Sequence, residues 1–165
     1  MSGATTLRPR QHEKTLQLPW NSLEKSARTF FEASPLERIH IIRQGVPAKF
    51  VVTISVSMKM PKETLYVTLN LARATIDRKV SKEELLNQDE SERVLAMTRL
   101  VGQADRMVRD SGAMEGFSPA QWVAEWLQRP HPALGGRRPG ELMDTADGRD
   151  LVTDLLARQQ SGAYT

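Results

Sequence analysis

The run Phe117, Ser118, Pro119, Ala120, Gln121, Trp122 constrains this chain most. A serine at such a position caps a helix by accepting from the amide three residues on. Proline in the first turn loses no hydrogen bond, and glutamine at the third helical position is expected to close the capping box. Phe117 and Trp122 have the spacing of a hydrophobic staple across that start. A helix therefore begins here, presents Trp122, Trp126 and Leu127, and ends before Pro130, because Pro130 and Pro132 cannot continue it.

The same punctuation recurs along the chain. Leu23, Ala27, Phe30 and Phe31 put one apolar stripe on a helix running from Ser22 to about Ser34. Ser34, Pro35 and Glu37 start the next helix, and Gly45 stops it. Two short helices follow, Pro61 to Leu69 and Ala72 to Lys79, and Ser81 with Glu84 has capping-box spacing that predicts the start of a further turn. Asn87 or Asp89 opens the longest pattern, with Val94, Thr98, Val101, Ala104 and Val108 in line up to Gly112. Leu134 to Pro139 predicts a tight turn into a one-turn helix holding Leu142 and Met143. A last helix runs from about Asp147 to Gln160, with Leu151, Val152, Leu155 and Leu156 inward and Gly162 beyond its end. Residues 49–58 fit two states. Phe50, Val52, Ile54, Val56 and Met58 alternate as in a strand, which β-branching favours, whereas Phe50, Val51, Ile54 and Met58 fit a helix.

With 165 residues and 39% hydrophobic content, the chain supports one compact unit or two small subdomains, not a large catalytic scaffold. It has no cysteine, so disulfides and thiolate metal sites are excluded. Its first residues lack the apolar run of a signal peptide, and no stretch of about 18 apolar residues suggests a membrane span. A cytoplasmic protein is expected. Charge is uneven: 13 basic and 6 acidic residues precede Ser81, against 10 and 14 from there onward. A basic front favours a polyanion such as DNA, and an acidic back favours a protein partner.

Residues 1–20 read as a flexible tail in which Arg8, Arg10 and Lys14 touch phosphate at most nonspecifically. The paired helices around Asn70 have helix-turn-helix proportions, and the second carries Arg73, Thr75, Arg78 and Lys79. Arginine pairs with guanine, threonine contacts phosphate or a thymine methyl, and lysine neutralises the backbone. A charged, solvated face is the plainer account of the same residues. Asn70, Leu71 and Ala72 form the turn where glycine is more usual. Gly135, Gly136, Arg137 and Arg138 suit either an anion cradle or, more simply, a turn whose arginines pair with Glu141 or Asp144. Trp122 and Trp126 read as core rather than as a sugar or base platform. His12, His40 and His131 have no metal-ligand spacing, and no nucleophile elbow or phosphate loop occurs; neither enzyme activity nor a cofactor is expected.

From about Val46 to Gly162, the chain resembles the Xre-type antitoxins partnered with RES-domain toxins. The matching residues are Ala74 to Arg78, Asp89 to Arg93, Trp126, Leu127 and Pro130; then Leu134 to Arg137, Pro139, Glu141 to Met143, Thr145 and Gly148; then Val152, Leu155, Leu156 and Gly162. The resemblance implies an all-α fold with an Xre-like helix-turn-helix domain followed by a small helical toxin-binding domain. On that basis, residues 21–87 form the N-terminal region, 88–112 a connecting helix and 113–165 the toxin-binding domain, and 49–58 is a helix. It also implies neutralisation of an NAD-degrading RES toxin by covering its active site, and autoregulation through operator DNA. A homodimer within a larger toxin–antitoxin complex is expected for reading two half-sites. The implied toxin-facing residues are Gly135, Gly136, Arg137, Arg138, Arg158, Gly162, Ala163, Tyr164 and Thr165; the DNA-facing ones are Arg73, Thr75, Arg78 and Lys79.

Overall fold

The computed structural model describes residues 15–112 and 115–162, and no strand occurs among them. Eight α-helices follow one another there: α1 Leu23–Glu32, α2 Pro35–Gln44, α3 Lys49–Met58, α4 Lys62–Thr68, α5 Arg73–Ser81, α6 Gln88–Asp110, α7 Pro119–Leu127 and α8 Ala146–Gln160. Two single-turn 3-10 helices, Pro132–Leu134 and Pro139–Leu142, link α7 to α8. The starts capped by Ser22, Ser34, Asn87 and Ser118 sit where the sequence puts them, whereas α8 begins at Ala146 behind a Thr145 cap not named from the sequence. Ser22, Ser34, Asn87, Ser118 and Thr145 each accept an amide of their own first turn. At Ser34 and Asn87 the box is closed by Glu37 and Glu90, whereas at Ser118 the bond found is the one from the Gln121 amide.

The α6 helix runs through the middle and packs on α1, α2, α7 and α8. Its buried side chains include Val94, Leu95, Met97, Thr98, Leu100, Val101 and Ala104, a wider arc than the single predicted line, and Val108 is only half-buried. This breadth follows from neighbours on several sides. The closest approach is to α1 at Gly102, where an added Cβ would lie 2.3 Å from the Ala27 carbonyl oxygen and 2.7 Å from Phe31 Cβ. Arg28 reinforces the pair from outside. Its Nε and Nη2 donate to the two Asp105 oxygens at 3.1 and 3.0 Å, and Arg109 donates to the same carboxylate at 2.9 Å.

The α3 helix settles the ambiguous segment. Phe50, Val51, Ile54 and Met58 are buried while Val56 is 71% exposed, a 3.6-residue period that alternation would not give. Propensity loses to packing here, with Phe50 seated edge-on to Trp20 at 5.0 Å between centroids. That contact, together with buried Leu18, corrects the expected tail: Leu16, Leu18 and Trp20 lie on the core, drawn there by their apolar side chains. Residues 1–14, with Arg8, Arg10, His12 and Lys14, lie outside the described residues.

Two further expectations are corrected. Ser81 caps nothing. It is the last residue of α5, and the amide of Glu84 bonds to the Lys79 carbonyl at 2.9 Å across a left-handed Glu83, so the box-like spacing marks a helix end. Leu151 does not face inward but is 48% exposed, since Gly148, Val152, Leu155 and Leu156 define the buried arc and residue 151 lies roughly a quarter-turn from its centre.

Gly102→Ala gains helix propensity of about 1 kcal/mol but drives a methyl into α1 backbone. A net loss of about 1–3 kcal/mol is expected in denaturant unfolding. Burial raises the Asp105 pKa, but the Arg28 and Arg109 guanidiniums lower it by more, so the net shift is downward from 3.8. Its stabilisation is then present above that unfolded value and is lost as pH falls below it. Asp105→Asn is expected to be less stable than the native chain at pH 7, with the gap closing towards pH 3.

Candidate functional site

The pair with helix-turn-helix proportions is α4, the turn and α5. Asn70 takes the left-handed conformation (φ 51°) that glycine usually supplies, which asparagine tolerates better than most residues. Arg93 of α6 donates to the Asn70 carbonyl at 3.0 Å, tying the turn to the central helix. Tyr66 Oη donates to Asp77 Oδ1 at 2.7 Å and fixes α4 against α5; burial and the Asp77 hydrogen bond raise the phenol pKa well above its ordinary value.

On α5, Ile76 is buried as the anchor, Arg73 and Arg78 are exposed, and Thr75 is half-buried at the edge. Arg73 is held by carboxylates on either side, Glu63 at 3.4 Å and Asp77 at 3.7 Å. Lys79 differs from the other three. Its ammonium meets Glu90 at 2.7 Å with both side chains nearly buried, and the same Glu90 oxygen closes the Asn87 box at 2.8 Å. Lys79 thus fastens α5 to the start of α6 instead of reaching outward. No local pattern announces the Glu63–Arg73 pair, and Glu90 is not singled out from the sequence either, although its place three residues after Asn87 is capping-box spacing that could have marked it.

The second region is the turn after α7. Gly135 (φ 65°) and Gly136 (φ 83°) are consecutive left-handed residues, and a Cβ added at either would meet nothing within 4 Å, so it is conformation and not space that calls for glycine. Their amides are taken: Gly135 donates to the Pro132 carbonyl and Gly136 to that of His131, both at 3.0 Å, and Arg137 to that of Leu134 at 3.3 Å. The anion-cradle reading therefore falls and the turn reading stands. Arg138 pairs with Glu141 at 3.1 Å. Arg137 is exposed, and no ion pair is found for it among the described residues. Gln159 Nε2 comes within 3.3 Å of His131 Nε2, bringing the end of α8, with exposed Arg158 and Gly162, beside the turn. Ala163, Tyr164 and Thr165 lie outside the described residues. Trp122 and Trp126 stack at 6.1 Å with Trp126 buried, as core residues. No group of metal-holding side chains occurs among the described residues, and no helix there is long and apolar enough to cross a membrane.

Comparison with known proteins agrees with this division. Residues 37–99 match the antitoxin Xre-like helix-turn-helix domain, and residues 103–162 match the antitoxin Xre/MbcA/ParS C-terminal toxin-binding domain. The chain is 38% identical over 137 residues to a Prs ADP-ribosylating antitoxin of Sphingobium sp. (strain YBL2), covering 83% of this chain and 86% of the relative. It is 23% identical over 125 residues to an antitoxin Xre of Yersinia enterocolitica, covering 75% and 78%. An all-helical chain with an Xre-like helix-turn-helix, followed by a toxin-binding domain whose exposed turn carries Gly135 to Arg138, belongs to the Xre-type antitoxins and not to an enzyme family.

Proposed function

We propose that this antitoxin neutralises a RES-type toxin by covering its active site, and that as a cytoplasmic homodimer it represses its own operon through operator DNA. The toxin-facing surface is the turn Gly135, Gly136, Arg137 and Arg138, the end of α8 with Arg158 and Gly162, and the tail Ala163, Tyr164 and Thr165. The name of the Sphingobium relative carries ADP-ribosylation, chemistry that consumes NAD. This supports a partner that acts on NAD, while the antitoxin itself binds none.

The observation that carries the reading is the turn itself. It spends its own amides internally and leaves the Arg137 guanidinium outside, next to the α8 terminus. Guanidinium makes directed, charge-assisted bonds to a partner's carboxylates or carbonyls. Leu151, exposed on α8, adds an apolar contact of the kind that anchors an interface centre. On the DNA side, Arg73, Thr75 and Arg78 read the groove from α5, and Lys79 positions that helix.

A DNA-binding regulator without a toxin is the other reading; it keeps the role of α5 and leaves the turn unused. Coexpression with the product of the adjacent gene separates the two, since copurification and rescue of growth follow only from the first. Within the first, Arg137→Ala with Arg138→Ala, or removal of Tyr164 and Thr165, weakens toxin binding by about tenfold or more; unchanged binding in a pull-down contradicts it. Arg73→Ala and Arg78→Ala each reduce operator affinity with little change in stability. Lys79→Ala instead lowers stability by about 1–3 kcal/mol, because it leaves the nearly buried Glu90 carboxylate without its cation; a melting temperature equal to the native one removes Lys79 from that role.

A further inference from the structure

The two exposed arginines of α5 are held differently. Arg73 Nη2 lies 3.4 Å from Glu63 Oε1 on α4, and Arg73 Nε lies 3.7 Å from Asp77 Oδ2 one turn further along α5. The Asp77 carboxylate is itself fixed, because its other oxygen accepts the hydroxyl of buried Tyr66 at 2.7 Å. An exposed ion pair holds a side chain only loosely, so the anchored Asp77 is what gives the Arg73 guanidinium a set direction. Arg78 is exposed as well, and no ion pair is found for it among the described residues. Helical geometry sets the two arginines roughly 140° apart around α5, with exposed Ala74 between them.

These surroundings select different ligands. A phosphate approaching Arg73 meets two carboxylates beside the same guanidinium, and their repulsion offsets the attraction. The O6 and N7 of guanine carry no net charge to be repelled, and together they accept two N–H bonds from one guanidinium. With Nε turned to Asp77 and one side of Nη2 turned to Glu63, Nη1 and the remaining Nη2 hydrogen are left to supply those bonds. Arg73 also begins α5, and the first residues of a recognition helix are the ones that meet base edges. Arg78 has no carboxylate in competition with a phosphate. Resting on the operator reading above, we infer that Arg73 reads a guanine, with Asp77 and Glu63 as positioning residues that aim its guanidinium and turn phosphate away, whereas Arg78 binds the DNA backbone. Specificity and affinity then come from separate arginines of one helix.

The test is fluorescence anisotropy of the full-length chain with a duplex from upstream of its own gene, a set in which each base pair of that duplex is replaced in turn, and an unrelated duplex. The native chain is expected to lose about tenfold or more in affinity when the contacted guanine of a half-site is replaced. Arg73→Ala is expected to abolish that preference. Arg78→Ala is expected to weaken every duplex alike and to make the salt dependence shallower by about one phosphate per protomer. Glu63→Gln and Asp77→Asn are each expected to bind the unrelated duplex at least as tightly as the native chain does, while the guanine preference falls about threefold or more. Asp77→Asn retains an acceptor for the Tyr66 hydroxyl, and Glu63→Gln, at the surface of α4, carries the test should the first variant fold poorly. Glu63→Gln with the native guanine preference, or Arg73→Ala weakening all duplexes equally, overturns the inference. A native chain that binds the upstream and unrelated duplexes equally overturns the operator reading, and the inference with it.

Discussion

The approach of α1 to α6 at Gly102 sets the geometry of everything else. With hydrogen in place of a side chain, the two helices come close enough for the Ala27 carbonyl to touch α6 directly, and the Arg28–Asp105–Arg109 cluster closes over the contact. Dispersion and apolar burial both scale with such closeness, and α2, α7 and α8 pack on the same central helix. The α6 helix is long enough to hold the recognition unit at its start, through Lys79–Glu90 and Arg93–Asn70, and α7 and α8 along its later turns. Residues 37–99 and 103–162, the two matched domains, meet within this helix. A single helix therefore runs from the helix-turn-helix domain into the toxin-binding domain.

Charge is distributed to suit this arrangement. The cations of the basic front divide by burial: Lys79 is spent on holding the fold, while Arg73 and Arg78 stay outside. Paired arginines at an exposed surface give up little stability when they change partners, which makes them suited to recognition. The glycine turn works by a parallel logic. Its amides are satisfied internally, which would lower the ordering cost of the contact proposed for Arg137.

Much of the fold was legible in the chain. Caps and breakers at Ser22, Ser34, Gly45, Asn87, Ser118 and Pro130 located helix ends because they act through neighbours within one turn. What failed to show depends on distant contacts. Residues 49–58 look like a strand until Trp20 and the core claim one face, Leu151 fits an apolar stripe yet lies beyond its arc, and Ser81 imitates a cap while ending a helix. The candidate site was legible in part. The arginines and glycines were visible, but Glu63 and Glu90, which decide what Arg73 and Lys79 are available to do, lie 10 and 11 residues from their partners across turns.

The central claim is that a toxin is held by the turn after α7 together with the end of α8. Hydrogen exchange of the free chain and of its complex with the adjacent gene's product tests it most directly. Slowed exchange in residues 131–144 and 150–162, with α1 unchanged, is the predicted result. Protection confined to α1, α2 and α3, with the turn exchanging as fast as in the free protein, would contradict it.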